Sequence, residues 1–246
     1  MTNLVETIDM LKELKLHSVA QQINEITEDA EKSSASYFGY LGEILKTELE
    51  DRAEKRLKRN LAGAHFTSTK TFGDYKLGNV KGFSKADMAT ITDFRWLDNH
   101  ENLLFFGPPG LGKTHIAIAT GMAAIEAGYT VCFERISHLL KLLKTAEIQR
   151  VAQFRLNRIL KSDLVIIDEI GYTPIERREA NLFFNLISEL YEKSSIIITS
   201  NKGFDTWAEM MGDEIMTTAM LDRLLHHARI FNLNGKSYRT LRKKVI

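Results

Sequence analysis

Cysteine, proline and net charge are what this 246-residue chain has least of. Its single cysteine, Cys132, leaves no disulfide possible within the chain, which suits a reducing cytoplasm. Cys132 lies in the apolar run 130–133 and reads as a buried strand residue, neither a metal ligand nor a nucleophile. Lys and Arg number 33 against 32 Asp and Glu, so composition exerts no overall pull on nucleic acid, and any such surface has to be a local patch. No apolar stretch approaches the roughly 18 residues of a membrane span. The first residues carry Glu6, Asp9, Lys12, Glu13 and Lys15, which excludes a signal peptide. Three prolines make no Pro-rich linker, and no internal repeat is visible.

What is present begins with GPPGLGKT at 107–114. It follows the apolar run Leu103-Leu104-Phe105-Phe106 and precedes a helical pattern from His115 to Ala127, the strand–loop–helix context that G-x-x-x-x-G-K-[ST] requires. Glycines let the backbone wrap a polyphosphate with its N–H groups pointing inward, and the next helix presents its N-terminus to the same anion. The candidate nucleotide contacts are Gly107, Pro108, Pro109, Gly110, Leu111, Gly112, Lys113, Thr114 and His115. Lys113 is expected to reach the β- and γ-phosphates, and the Thr114 hydroxyl to hold Mg²⁺.

A phosphate loop needs an acid. The strand Leu164-Val165-Ile166-Ile167 ends in Asp168-Glu169. Asp168 is the expected Mg²⁺ partner and Glu169 the expected base for the attacking water. Ligands belong at the carboxyl ends of strands in such sheets, where both motifs fall. A third strand, Ile196 to Thr199, ends in Ser200-Asn201, and Asn201 is placed to hydrogen-bond the water or the γ-phosphate. Arg223, in Leu221-Asp222-Arg223-Leu224-Leu225, is the candidate for stabilising transition-state charge in a neighbouring subunit's site, with Arg229 and Arg239 as competitors.

The chain divides into three stretches. Residues 1–65 read as helix only, with Leu4, Ile8, Leu11, Val19, Ile23 and Ile26 at helical spacing. Ser34 or Ser36 can cap a further helix that buries Phe38, Leu41, Ile44, Leu45, Leu49 and Leu57 and ends in a charge-rich run, 50–59. So few helices bury little surface alone, which points to an assembly or partner-docking role. Residues 66–100 mix aromatics with glycines and read as a linker lying along the next domain. From 101 to 246, strands at 102–106, 130–134, 163–168, 195–200 and 229–233 alternate with helices, which predicts a parallel five-stranded sheet covered on both faces.

Together these residues resemble the AAA+ ATPases, and more narrowly the helicase-loader clade that holds DnaC and the transposition helper IstB. The features that carry the resemblance are GPPGLGKTH from Gly107, VIIDEIGY from Val165, TSN from Thr199, LDRLLHHA from Leu221, GKSYR from Gly235 and the N-terminal LKELKLHSVA from Leu11. They span nearly the whole chain. The resemblance implies an AAA+ P-loop core behind a small helical domain, without room after Leu233 for a separate lid. It implies a Mg²⁺-dependent ATPase that assembles on duplex DNA with ATP and delivers that target to a cognate transposase, in the cytoplasm and on the nucleoid. No three-carboxylate nuclease set is visible, which agrees with a helper role.

The stretch between the second and third strands is basic. Lys141, Lys144, Arg150, Arg155, Arg158 and Lys161 face only Glu147 as an opposing charge. At about 100° per residue, Arg150, Arg158 and Lys161 share a helix face with Arg155 near its edge, while Leu156, Ile159 and Leu160 point to the core. In the loader and initiator branch, a helix at this point lines the nucleic-acid channel. Lys141, Lys144, Arg150, Arg155 and Arg158 are therefore the candidate DNA contacts, of a kind that grips phosphates without reading sequence. Two other functions are weighed. A replicative helicase loader would favour single-stranded DNA and a helicase partner. A GTPase switch would use D-x-x-G at Asp168–Gly171, but after Asn201-Lys202 the aspartate is Asp205, one place too far along.

Overall fold

The computed structural model describes residues 3–172 and 174–238. The chain forms two compact units, Met1–Arg59 and Asn60–Ile246.

The first unit holds α1 (Leu4–Glu13), α2 (His17–Lys32) and most of α3 (Tyr37–Ala64). Asn3 starts α1 with a capping box: its side chain accepts from the Glu6 N–H at 2.9 Å, and Glu6 accepts from the Asn3 N–H at 3.1 Å. Ser36, not Ser34, caps α3, accepting from the Gly39 N–H at 3.1 Å. Val19, Ala20 and Ile23 form the small buried centre. Phe38, Leu41, Leu45 and Leu49, expected to be buried, are exposed. Three helices offer too little surface to cover them. The charged end of α3 pairs internally at helical spacing, Asp51 with Lys55 at 2.7 Å and Glu48 with Arg52 at 2.8 Å.

The second unit starts inside α3, earlier than the expected break at 65. Asn60 is buried and donates to the Tyr129 carbonyl at 3.3 Å, and Ala64 is buried too. There follow β1 (Val80–Lys81), α4 (Lys85–Thr92), α5 (Arg95–Asp98), β2 (Asn102–Phe106) and α6 (Lys113–Glu126). Next come β3 (Val131–Arg135), α7 (Ile136–Thr145), α8 (Arg150–Ile159), β4 (Leu164–Ile170) and α9 (Arg177–Leu190). The unit closes with β5 (Ser195–Ser200), α10 (Trp207–Met211), α11 (Glu214–His226), β6 (Ala228–Asn232) and β7 (Asn234–Gly235).

Strands β2 to β6 make one parallel sheet in the order β3-β4-β5-β2-β6, while β1 pairs with β7 antiparallel. The central strands are apolar on both faces because both are covered. Leu104, Phe106, Val165, Ile167, Ile196 and Ile198 face a core built with α7, α9 and α11. On the other face Phe105 stacks on Phe231 at 4.9 Å, and Phe83 packs edge-on to both rings. The expected linker is part of this core. It forms α4 and α5 and buries Phe83, Ile91 and Trp96, whose indole donates to the Ile91 carbonyl at 2.7 Å.

Candidate active site

The phosphate loop joins the carboxyl end of β2 to the start of α6. Gly112 holds φ +86°, and a Cβ there would stand 2.6 Å from the Tyr75 ring. Gly107, at φ +137°, would drive a Cβ to 2.2 Å from the Leu233 carbonyl oxygen. Both positions demand glycine for backbone angle and for space. The Lys113 ammonium donates to the carbonyls of Gly107 and Pro108 at 2.6 and 2.9 Å, so it already lies across the loop.

Asp168 is fully buried near the carboxyl end of β4. Its Oδ1 accepts from Thr114 at 2.8 Å and from Thr199 at 2.5 Å. Its Oδ2 is buried with no hydrogen-bond partner among the described residues. Burial pushes this carboxyl above the ordinary carboxylate range, and the two hydroxyl donors pull it partly back. A buried carboxylate oxygen without a partner, beside a threonine hydroxyl, fits a hard divalent cation such as Mg²⁺, which takes oxygen ligands.

A bulge in the β4–β5 pairing, between Ile167 and Ile170, brings Glu169 to φ +68°. Its N–H donates to Thr199 Oγ1 at 3.0 Å, and its half-exposed carboxylate lies 3.5 Å from Arg135 Nε. A non-glycine residue in this backbone region is strained. The turn lets two adjacent acids differ: Asp168 points into the core and Glu169 into the open. Asn201, just past β5, keeps its Oδ1 buried with no hydrogen-bond partner among the described residues. Asp168 Oδ2 and Asn201 Oδ1 are thus two acceptors waiting for ligand or water.

A cleft of about 780 Å³ lies against this site, with Pro109, Gly110, Gly112, Lys113, Thr114, His115, Glu169 and Asn201 in its wall, while the fully buried Asp168 is not among its lining residues. Gly107, Pro108 and Leu111 do not line it; Pro108 is exposed elsewhere. Leu111 is buried, and its carbonyl accepts from the Tyr75 hydroxyl at 3.1 Å. His115 is held on the Thr71 carbonyl at 2.8 Å and packs on Tyr75. The expected linker also supplies wall residues, among them Ser68, Lys70, Asp74 and Tyr75. Tyr238 also lines the cleft, beside Tyr75, its N–H donating to the Gly110 carbonyl at 2.9 Å. Sequence reasoning missed Tyr75, Arg135 and any role for Tyr238. Tyr75 and Arg135 sit in no motif, and Tyr238 stood only in GKSYR.

A family model described as IstB-like ATP binding protein matches residues 9–245. The chain belongs to this family. A Pseudomonas aeruginosa relative, named as an ATP-binding protein of insertion sequence IS21, is 36% identical over 235 residues, 96% of this chain and 89% of its own. Among solved structures, DnaI superposes with a TM-score of 0.56 at 16% identity, covering 68% of this chain and 89% of that one. The DnaC helicase loader superposes with a TM-score of 0.52 at 21% identity, covering 72% and 99%. At these identities the likeness is one of fold.

In this IstB-like ATP-binding protein, the remaining candidate residues lie away from the phosphate cleft. Arg223, on α11, donates to the Ala219 carbonyl at 2.8 Å and its guanidinium covers the Phe184 ring at 5.1 Å. It lines a small hollow with Asn102, Ser194 and Ile196, at the amino ends of β2 and β5. Arg229 pairs with Glu101 at 2.9 Å. Neither reaches its own chain's phosphate loop, which sits at the opposite ends of the strands. Arg239 lies outside the described residues.

The basic segment forms α7 and α8, and the structure divides its cations. Lys141 and Arg150 are exposed. Lys144 pairs with Glu179 at 2.7 Å. The Arg158 guanidinium lies against Gly63, where a Cβ would be 1.6 Å away. Arg155, expected as a DNA contact, is instead buried. Its guanidinium bonds to Glu134 at 2.5 Å and to the carbonyls of Gly63, Ala64 and Phe133 at 2.7, 3.3 and 3.1 Å. Glu147 was the only opposing charge in the segment, but Glu134 and Glu179 come to it from other elements.

Proposed function

We propose that the chain is a Mg²⁺-dependent ATPase that binds duplex DNA and serves as the helper of an insertion-sequence transposase. The observation that carries the enzymatic part is the buried Asp168 carboxylate, held by Thr114 and Thr199 through one oxygen and unpartnered at the other, beside Glu169 and Asn201. Lys113 would turn from the loop carbonyls to the β- and γ-phosphates, stabilising charge by position. Thr114 and Asp168 would hold Mg²⁺, which supplies positive charge at the phosphate oxygens. Glu169, the more accessible acid, accepts the proton of the attacking water, and Asn201 Oδ1 orients that water. Arg223 acts on the site of a neighbouring copy.

The DNA reading rests on the exposed Lys141 and Arg150 of the α7–α8 segment. The partner reading rests on family membership and on the exposed Phe38, Leu41, Leu45 and Leu49 of α3, which suit self-association or docking on the transposase. Glu169→Gln tests the enzymatic reading. It keeps shape but removes the base, so it should bind ATP and hydrolyse it at least 10²-fold more slowly, about the lower value of a general base. Turnover at the unmodified rate would place the base elsewhere.

A further inference from the structure

Three large apolar side chains stand in water on the basic segment. Ile148 is 86% exposed, Val151 82% and Phe154 69%. Val151 and Phe154 stand one turn apart on α8 and share a side of it, and Ile148 lies in the turn just before the helix. The opposite side is spent on the core: Ala152, Arg155 and Ile159 are buried. The outward side also carries Arg150, Gln149, Gln153 and Asn157, all exposed, and no acid between Arg150 and Lys161.

This composition selects the occupant. A cation, three amides and bulky apolar groups without an acid are what a nucleic-acid groove takes. The cation meets phosphates, the amides meet base-edge acceptors, and apolar side chains slide between base pairs. From Arg150 to Lys161 the segment carries no acid, with Glu147 exposed just before Ile148, so its charge balance is complementary to a polyanion. We propose that Ile148, Val151 and Phe154 form an apolar wedge that enters the minor groove of duplex DNA and opens a base step, with Phe154 the leading residue. This rests on the DNA-binding reading above and adds the mode of contact. A phenyl ring is about as thick as the roughly 3.4 Å rise of one base step, so its entry requires that step to open by about the same amount. Pyrimidine–purine steps such as TA unstack most easily, so the wedge gives a preference for deformable sites without any base-specific contact.

The test uses the full chain with Mg²⁺ and a non-hydrolysable ATP analogue. The probe is a 30-base-pair duplex carrying 2-aminopurine at a central TA step, or at a G·C-flanked step in the control. Binding by the unmodified protein should raise 2-aminopurine emission several-fold at the TA step and less in the control. Ile148→Ser/Val151→Ser/Phe154→Ser should abolish the rise while leaving the salt slope of binding unchanged, because no cation is lost. Phe154→Leu should keep part of the rise. Unaltered thermal unfolding of the triple variant shows that its fold is intact, as expected for exposed positions.

Bound DNA with unaltered emission, or a triple variant that raises emission like the parent, overturns the wedge. Loss of self-association by the triple variant without DNA, seen by sedimentation, also overturns it and assigns the stripe to a second copy. The DNA reading itself is tested separately by Lys141→Glu and Arg150→Glu, each expected to lower the salt slope by about one. Unchanged slopes with intact unstacking would sink the basic contacts and not the wedge. Absence of any DNA binding sinks both.

Discussion

Replacing Arg155 separates a structural arginine from a DNA-binding one. Its side chain is 8% exposed and that of its partner Glu134 is 4% exposed, so the pair is desolvated. Arg155→Ala leaves the Glu134 carboxylate buried, with His138 as its remaining ion-pair partner among the described residues. It also strips a donor from the last carbonyls of α3, at Gly63 and Ala64. Breaking a buried pair from one side costs about 3–5 kcal/mol. For a unit of this size, each kcal/mol lowers Tm by roughly 2–4 °C. The expected loss is therefore on the order of 6–20 °C, read by differential scanning calorimetry of the full chain. Arg155→Met with Glu134→Met removes both charges and should recover much of that loss, since a buried pair replaced by apolar groups is often neutral. Arg150→Ala, on the exposed face, should leave Tm within about 1 °C while weakening DNA binding. The reasoning is refuted if Arg155→Ala unfolds at the parent temperature and binds DNA with a reduced salt slope.

Asp168→Asn should raise the Tm of ligand-free protein at pH 7. Burial lifts the folded carboxyl's pKa above its unfolded value, so stability falls as pH rises through that interval, and the gain should vanish below about pH 4. MgATP should then stabilise the parent and not the variant. Lys113→Ala should lose ATP binding by calorimetry, since nothing else described on the loop supplies an ammonium. Arg223→Ala should bind ATP yet hydrolyse it about 10³-fold more slowly, and mixing with Lys113→Ala should restore activity; no rescue in proven mixed oligomers counts against a shared site. A chain starting at Asn60 should keep ATP binding and lose ordered assembly on DNA by analytical ultracentrifugation. One starting at Phe66 should also be less stable, because it lacks the Asn60, Gly63 and Ala64 contacts.

The sequence by itself determined the features whose cause is local. The strand–glycine loop–helix order places Lys113 and Thr114 wherever it occurs, because the spacing is the mechanism. Continuous apolar runs ending in Asp168 and Thr199 announce doubly covered parallel strands, and the sheet has them side by side in β4 and β5. Tertiary structure decided whatever depends on partners far along the chain. Helical periodicity set Arg155 at the edge of a basic face. Glu134 and the end of α3, 21 and 91 to 92 residues away, turned it inward. The same distance effect makes Tyr75 and Arg135 part of the site, since neither belongs to a motif and each reaches it by folding. Phe38, Leu41, Leu45 and Leu49 read as core by their spacing, yet periodicity counts apolar faces without knowing whether enough chain exists to cover them. Only the packed molecule, with its finite surface, separates a face that is buried from one that waits for a partner.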